Sequence, residues 1–342
     1  MLVDDSAIAR GFMRRWIEEE PQVELVKVCS DAAQAIAEVA RMRPDVIVLD
    51  IEMPNMDGLA ALPHLRKLAP HARIVMASTL TPAGAQQTVK ALSLGAADFI
   101  TKPQSSAVGG VDSYRRDLID KIIALGPRLT LRHPSSATCT LRPRAAVHCP
   151  AAVMVVAAST GGPSALPTFL GPIARRIDAP ILIVQHMPAT FTALFAEKIE
   201  ACIGKRCREA VDGDVLAPGS VYIAPGDQQM RIARSPAGRI VTLDRSAPVN
   251  FCRPAADPLF ESAAAAFGNR VLGVVLTGMG HDGRDGAGHI VKAGGRMLVQ
   301  DEASSVVWGM PGAIAQAGLA EAIKPLRDLA SAALRMMNGE AA

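Results

Sequence analysis

The sequence predicts two successive α/β domains, the first on a five-stranded parallel sheet and the second doubly wound on a mostly parallel one. Three observations carry this reading. The chain has 342 residues, room for two cores at about 150 residues per domain. Short apolar runs alternate with amphipathic stretches at helical spacing, the pattern of strands joined by crossover helices. A segment rich in Pro, Ser, Thr and Arg, without sustained period, separates the halves and reads as a linker over residues 126–150.

In the first half, residues 1–125, the strand-like runs are Met1 to Val3, Val23 to Cys29, Val46 to Leu49, Ile74 to Ala77 and Asp98 to Ile100. Ala7 to Glu19, Ala32 to Arg41, Leu59 to Lys67, Ala83 to Leu94 and Asp112 to Leu125 alternate with them as helices. If the sheet takes the order 2-1-3-4-5, one of the two common doubly wound orders, the first strand is central and both neighbours need its backbone. Met1 to Val3 is short for that task, so ladder groups on Val23 to Cys29 and Val46 to Leu49 are expected to lack partners, and the natural start is expected a few β-prone residues upstream. In the second half, residues 151–342, Val153 to Ala157, Ile181 to Val184, Ser220 to Ile223 and Val271 to Leu276 are near-continuous apolar runs. Strands buried on both faces of a parallel sheet read this way. Ala193 to Cys202 and Pro258 to Phe267 are helix-like between them.

Composition narrows the function classes. Lys plus Arg at 36 against Asp plus Glu at 33 leaves a charge of +3 without a basic block, so no nucleic-acid footprint stands out. Apolar runs such as Ala151 to Ala158 fall far short of the ~20 residues that span a bilayer. The N-terminus reaches Asp4 and Asp5 at once, unlike a signal peptide, and a cytoplasmic location is expected. The six cysteines form no CxxC pair and no zinc-like cluster with histidine, so reduced thiols are expected.

Ligands of a parallel sheet bind beyond the carboxyl ends of its strands, so the residues that close each run are informative. In the first half these are Asp4 and Asp5, Asp50, Ser78, and then Lys102 with Pro103. Carboxylates converging at one end repel one another unless a hard cation takes oxygen ligands from them, which points to Mg²⁺. Beside such an ion a carboxylate can attack a phosphoryl group to form an acyl phosphate. Asp50 is the candidate nucleophile, Lys102 the neutralising ammonium, and Ser78 a hydroxyl that bonds the phosphoryl oxygens only when they are present. Each aspartate taken alone could instead cap a helix or a turn.

VDDS at Val3 to Ser6, VIVLDIEMPNMDG at Val46 to Gly58 and DFITKP at Asp98 to Pro103 resemble the receiver domain of two-component response regulators, over residues 1–125. The resemblance implies a flavodoxin-like fold, Mg²⁺ held by Asp5 and Asp50 with Asp4 acting through water, phosphorylation on Asp50, and Ser78, Phe99 and Lys102 as switch residues.

In the second half the run ending at Ala158 enters Ser159-Thr160-Gly161-Gly162 and then a helix-like stretch. A serine at such a corner exposes its hydroxyl above the sheet, and N–H groups at the helix start can bond an oxyanion. A phosphate cradle and a plain capped turn are the alternatives, although no GxGxxG or Walker lysine accompanies the segment. Serine needs a base to take its proton and a third group to orient that base. His186 closes the next run, and Asp282 lies in the glycine-rich loop Thr277 to Gly283 after a later one. His281 and, more weakly, His289 are rival bases. His281 neighbours Asp282 in sequence, a position from which base and orienter cannot easily act together, so geometry favours His186.

ASTGGP at Ala158 to Pro163, QHMP at Gln185 to Pro188, YIAPGD at Tyr222 to Asp227, LTGMGHDG at Leu276 to Gly283 and EASSVVWGMP at Glu302 to Pro311 resemble the catalytic domain of chemotaxis protein-glutamate methylesterases. The resemblance implies Ser159 as nucleophile, His186 as base, Asp282 as orienter, and Thr160 and Met279 near the oxyanion. It implies hydrolysis of glutamate methyl esters and deamidation of glutamines on chemoreceptors, no cofactor for the esterase, and a chemotaxis histidine kinase as phosphodonor.

Overall fold

The structure, a computed structural model, describes residues 1–103, 110–127 and 149–342. Residues 128–148 of the expected linker lie outside this set. The chain divides into two units, Met1–His133 and Pro134–Ala342.

The first unit runs β1 (Leu2–Val3), α1 (Ala7–Glu18), β2 (Val28–Cys29), α2 (Ala32–Met42), β3 (Val46–Asp50), α3 (Gly58–Leu68), β4 (Arg73–Ser78), α4 (Pro82–Ser93), β5 (Asp98–Thr101) and α5 (Gly110–Leu125). Its sheet has the order β2-β1-β3-β4-β5, every pair parallel. All of β3 is buried, as a central strand covered on both faces must be. Ser6, Asp31, Asp57 and Thr81 start α1 to α4, each side chain accepting an N–H of the first turn, which satisfies one otherwise orphaned donor per helix.

Two expectations change here. Val23 to Cys29 does not form a strand throughout; only Val28 and Cys29 pair, in register with Leu2 and Val3. A strand extends no further than its ladder partner, and β1 offers two residues. On the other side the expected gap is bridged by Met1, whose ammonium donates to Val46 O at 2.8 Å and whose carbonyl accepts from Val48 N at 3.0 Å.

The second unit runs β6 (Val153–Ala158), α6 (Gly162–Leu170), β7 (Ile181–Gln185), α7 (Ala189–Ile203), β8 (Cys207–Glu209), β9 (Val221–Ile223), β10 (Gln229–Ser235), β11 (Gly238–Asp244), α8 (Ala256–Phe267), β12 (Val271–Val275), α9 (Arg284–Lys292), β13 (Arg296–Gln300), α10 (Met310–Gln316), β14 (Ala322–Lys324) and α11 (Leu326–Met337). Seven parallel strands follow the order β14-β13-β12-β6-β7-β9-β8, and β10-β11 is a separate antiparallel hairpin. From β6 the chain builds outward through β7 to one edge, then returns to β12 and builds outward to the other. The strand order therefore reverses between β6 and β12, where an open α/β sheet has its crevice. One core lies under this point, including Val155, Leu182, Val275 and Val299 of the sheet and Leu259 and Phe260 of α8, all fully buried.

Among the described residues Cys29, Cys149, Cys202, Cys207 and Cys252 are free thiols, and no helix is long and apolar enough to cross a membrane.

Candidate functional site

At the carboxyl ends of the second sheet, Ser159 follows β6, His186 follows β7, and Thr277 to Gly283 follow β12. Ser159 is half-buried, and its N–H donates to Thr277 O at 3.1 Å, which ties the serine corner to the loop after β12. The corner needs two glycines. Gly161 has φ 81°, and a Cβ on Gly162 would lie 2.0 Å from Gln185 Oε1, so neither position accepts a side chain without displacement. Buried Gln185 donates through Nε2 to the carbonyls of Ser159 (3.0 Å) and His186 (3.3 Å), joining the serine and histidine loops through one amide.

His186 Nε2 lies 2.8 Å from Asp282 Oδ2. Asp282 is buried and also accepts from Ala256 N at 2.6 Å, Asp257 N at 3.2 Å and Asn250 Nδ2 at 3.2 Å. Burial alone would raise its pKa, but His186, the Ala256 N–H and the Asn250 amide together hold it below the ordinary value. An ionised carboxylate can only accept, so Nε2 carries a proton and, in the neutral ring, Nδ1 carries the lone pair. Burial disfavours the imidazolium, yet the hydrogen bonds to Asp282 and Cys252 outweigh it and push the His186 pKa up to about 10. Cys252 Sγ stands 3.5 Å from Nδ1. Ser159 Oγ makes no hydrogen bond among the described residues.

Of the remaining expected groups, Thr160 is buried beside the corner, its carbonyl accepting from Thr277 Oγ1 at 2.9 Å, and Met279 is half-buried in the loop after β12. The rival histidines His281 and His289 are exposed, and neither makes a side-chain hydrogen bond among the described residues. Sequence reasoning missed Asn250, Cys252 and Asp257, which reach the site from the segment leading into α8 and the helix's first turn. Asn250 Nδ2 bridges Asp282 Oδ1 and Asp257 Oδ2, the latter at 2.8 Å, and Gly286 N donates to Asp257 Oδ1 at 2.7 Å.

In the first unit Asp4, Asp5 and Asp50 each offer an oxygen, all within 4.8 Å of one another. Asp4 and Asp50 are buried and Asp5 is exposed. Lys102 Nζ lies 2.8 Å from Asp4 Oδ2 and 2.7 Å from Asp50 Oδ2. Burial raises the Asp50 pKa to about 6 against the opposing pull of Lys102. Three carboxylates meeting one ammonium leave excess negative charge and hard oxygen donors, a set that fits a divalent cation. Gly58 lets the chain pass this point, since a Cβ there would lie 2.0 Å from Asp50 O. Ser78 is buried and its hydroxyl is engaged with α4, donating toward Gly84 O at 3.2 Å and accepting from Thr88 Oγ1 at 2.6 Å. Phe99 is buried, with Lys121 Nζ 5.4 Å from its ring centroid.

A family model described as CheB methylesterase matches residues 154–333, and one described as a response regulator receiver domain matches residues 1–108. The chain is similar to the protein-glutamate methylesterase/protein-glutamine glutaminase 2 of Caulobacter vibrioides, at 50% identity over 96% of either chain. It is similar to the protein-glutamate methylesterase/protein-glutamine glutaminase of Maricaulis maris, at 44% identity over 99% of this chain and 95% of that one. Among solved structures, the CheB methylesterase catalytic domain of Thermotoga maritima matches with a TM-score of 0.53 and 33% identity, over 54% of this chain and 98% of that one. With a receiver domain ahead of a methylesterase domain and this likeness along nearly its whole length, the chain belongs to the CheB methylesterase family.

Proposed function

We propose that the chain is a phosphorylation-activated serine hydrolase of chemotaxis adaptation, which demethylates glutamate methyl esters and deamidates glutamines on chemoreceptor helices. The observation that carries this reading is the Asp282–His186 pair at 2.8 Å, placed at the strand-order reversal where Ser159 opens a helix. A phosphate cradle at Ser159 to Gly162 would leave that pair without a task.

Ser159 Oγ attacks the ester carbonyl carbon while His186 Nδ1 takes its proton. Asp282 keeps Nε2 protonated and stabilises the imidazolium that forms. The tetrahedral oxyanion sits near Thr160 and Met279. It collapses with loss of methanol, protonated by His186, and leaves an acyl-Ser159. Water then attacks the acyl carbon, giving its proton to Nδ1, and the glutamate carboxylate is released. With glutamine the same steps release ammonia. For Nδ1 to serve, it exchanges the weak thiol contact of Cys252 for the serine hydroxyl.

In the receiver, Asp50 takes a phosphoryl group from a chemotaxis histidine kinase, and Lys102 bonds the phosphoryl oxygens. Asp5 and Asp50, with Asp4 through water, would hold Mg²⁺, whose chemistry is neutralisation of the charge that gathers on those oxygens. Ser78 leaves its bonds with α4 to reach the new oxygens, and Phe99 repacks with it. Such differential contact biases a two-state element. The resulting change raises esterase activity.

Methanol release from methylated receptor membranes, with and without a small phosphodonor, tests the reading. Release that rises with phosphodonor is expected, and Asp50→Asn should remove the rise. Absence of methanol release from the wild-type chain would refute it.

A further inference from the structure

Val249 and Cys252 face each other in a small antiparallel bridge, each N–H donating to the other's carbonyl at 3.0 and 2.8 Å. The two residues between them, Asn250 (φ 51°) and Phe251 (φ 63°), are both left-handed. A two-residue loop of this type takes Asn readily and ordinarily has Gly in second place. An aromatic residue held there is strained. Phe251 is nonetheless present and is 95% exposed, so no packing among the described residues rewards the ring for its unfavourable backbone.

The turn is also tied to the catalytic pair. Asn250 bonds Asp282 and Asp257 through Nδ2, Cys252 Sγ contacts His186 Nδ1, and the carbonyl of Cys252 accepts from buried Gln229 Nε2 at 3.2 Å. Phe251 thus stands between two residues that each touch a member of the Asp282–His186 pair. Consecutive Cα atoms are about 3.8 Å apart, so the ring is mounted at the rim of the site. Two residues on, Arg253 pairs with Asp227 and donates to the carbonyls of Arg245 and Ser246.

We propose that Phe251 is a substrate-docking residue, whose ring packs on apolar side chains of the receptor helix beside the target glutamate and seats that helix over Ser159. An exposed aromatic ring beside an Arg253–Asp227 ion pair matches the apolar face and polar margin of an amphipathic helix, on which residues three and four positions from the target share its face. This rests on the esterase reading above.

The full chain is assayed with two substrates, methylated receptor membranes and p-nitrophenyl acetate, which is too small to reach the rim. Phe251→Asn removes the ring but keeps a residue that accepts the left-handed backbone, and Phe251→Tyr keeps the ring. Phe251→Asn is expected to lower kcat/KM on receptor roughly tenfold, mainly through KM, the scale of a truncated aromatic anchor. Turnover of p-nitrophenyl acetate should be unchanged, and Phe251→Tyr should behave as wild type on both. Unchanged receptor turnover in Phe251→Asn would overturn the proposal. So would an equal loss on both substrates, which marks a structural role, or a gain on receptor, which marks a ring that holds another part of the chain over the site. A wild-type chain that hydrolyses p-nitrophenyl acetate but releases no methanol from receptor would instead refute the choice of substrate, and the docking role with it.

Discussion

Asp282→Asn separates the orienting role of this carboxylate from its volume. Four donors converge on Asp282 in the folded protein: His186 Nε2, Ala256 N, Asp257 N and Asn250 Nδ2. An asparagine has one accepting oxygen and one NH₂. With the oxygen toward His186 and Ala256, the NH₂ faces two further donors, and each buried group left unsatisfied costs ~1–3 kcal/mol. With the amide reversed, the NH₂ donates to Nε2 and forces the proton onto Nδ1, which then has no lone pair for Ser159. Loss of the correct tautomer in a serine triad lowers kcat by a factor on the order of 10⁴, so kcat for methanol release is expected to fall by at least ~10³ while the fold survives. Rates are compared with melts of the same samples. A variant that melts as wild type and keeps more than about a tenth of the activity would show that Asp282 does not orient the base, and the mechanism would need another group in its place.

Four further outcomes are expected. Because neutral His186 is the active form and its pKa is raised to about 10, kcat/KM should climb with pH well above the ordinary histidine range; Cys252→Ala, which removes one contact that raises it, should move the inflection to lower pH with activity retained. Raised Asp50 means the folded receiver is favoured below pH 3.8 and loses that contribution as pH rises through about 6, so Mg²⁺ should raise the receiver's melting temperature more at pH 8 than at pH 5. Gly58→Ala places a methyl 2.0 Å from Asp50 O and should destabilise the receiver by ~1–3 kcal/mol, read as an earlier first transition in calorimetry. Ser78→Ala should still accept phosphate on Asp50 but show a smaller rise in methanol release with phosphodonor, since the hydroxyl is the group exchanged between α4 and the phosphoryl oxygens.

The five strands of the first unit, and the placing of Asp50, Ser159, His186 and Asp282 after strand ends, were legible because buried parallel strands are apolar runs and their closing residues stand out against them; the order of those strands came from the resemblance to receiver domains. The strand β13 was not legible. It begins at Arg296 and ends at Gln300, both buried polar residues made tolerable by partners far away in sequence, Glu321 for the arginine and the Thr277 N–H for the glutamine. The hairpin β10–β11 alternates apolar and polar residues about the turn closed by Gly238 (φ 120°), a period-two signal present in the sequence itself. Asn250 and Cys252 carry no pattern at all. They become site residues only because the loop before α8 folds back on the end of β7, a tertiary fact that neither period nor propensity encodes. Likewise the shortening of β2 follows from what β1 offers as a partner and not from the composition of Val23 to Cys29.

The central claim, that Ser159 is the nucleophile and His186 its base, faces one concrete rival in the structure: Cys252, a thiol 3.5 Å from His186 Nδ1. Incubation of the full chain with a fluorophosphonate, followed by peptide mass mapping, decides between them. The account predicts a single stoichiometric adduct on Ser159, abolished by His186→Ala and unaffected by Cys252→Ala. A chain that stays unlabelled at Ser159 while methanol release is lost on Cys252→Ala would contradict it.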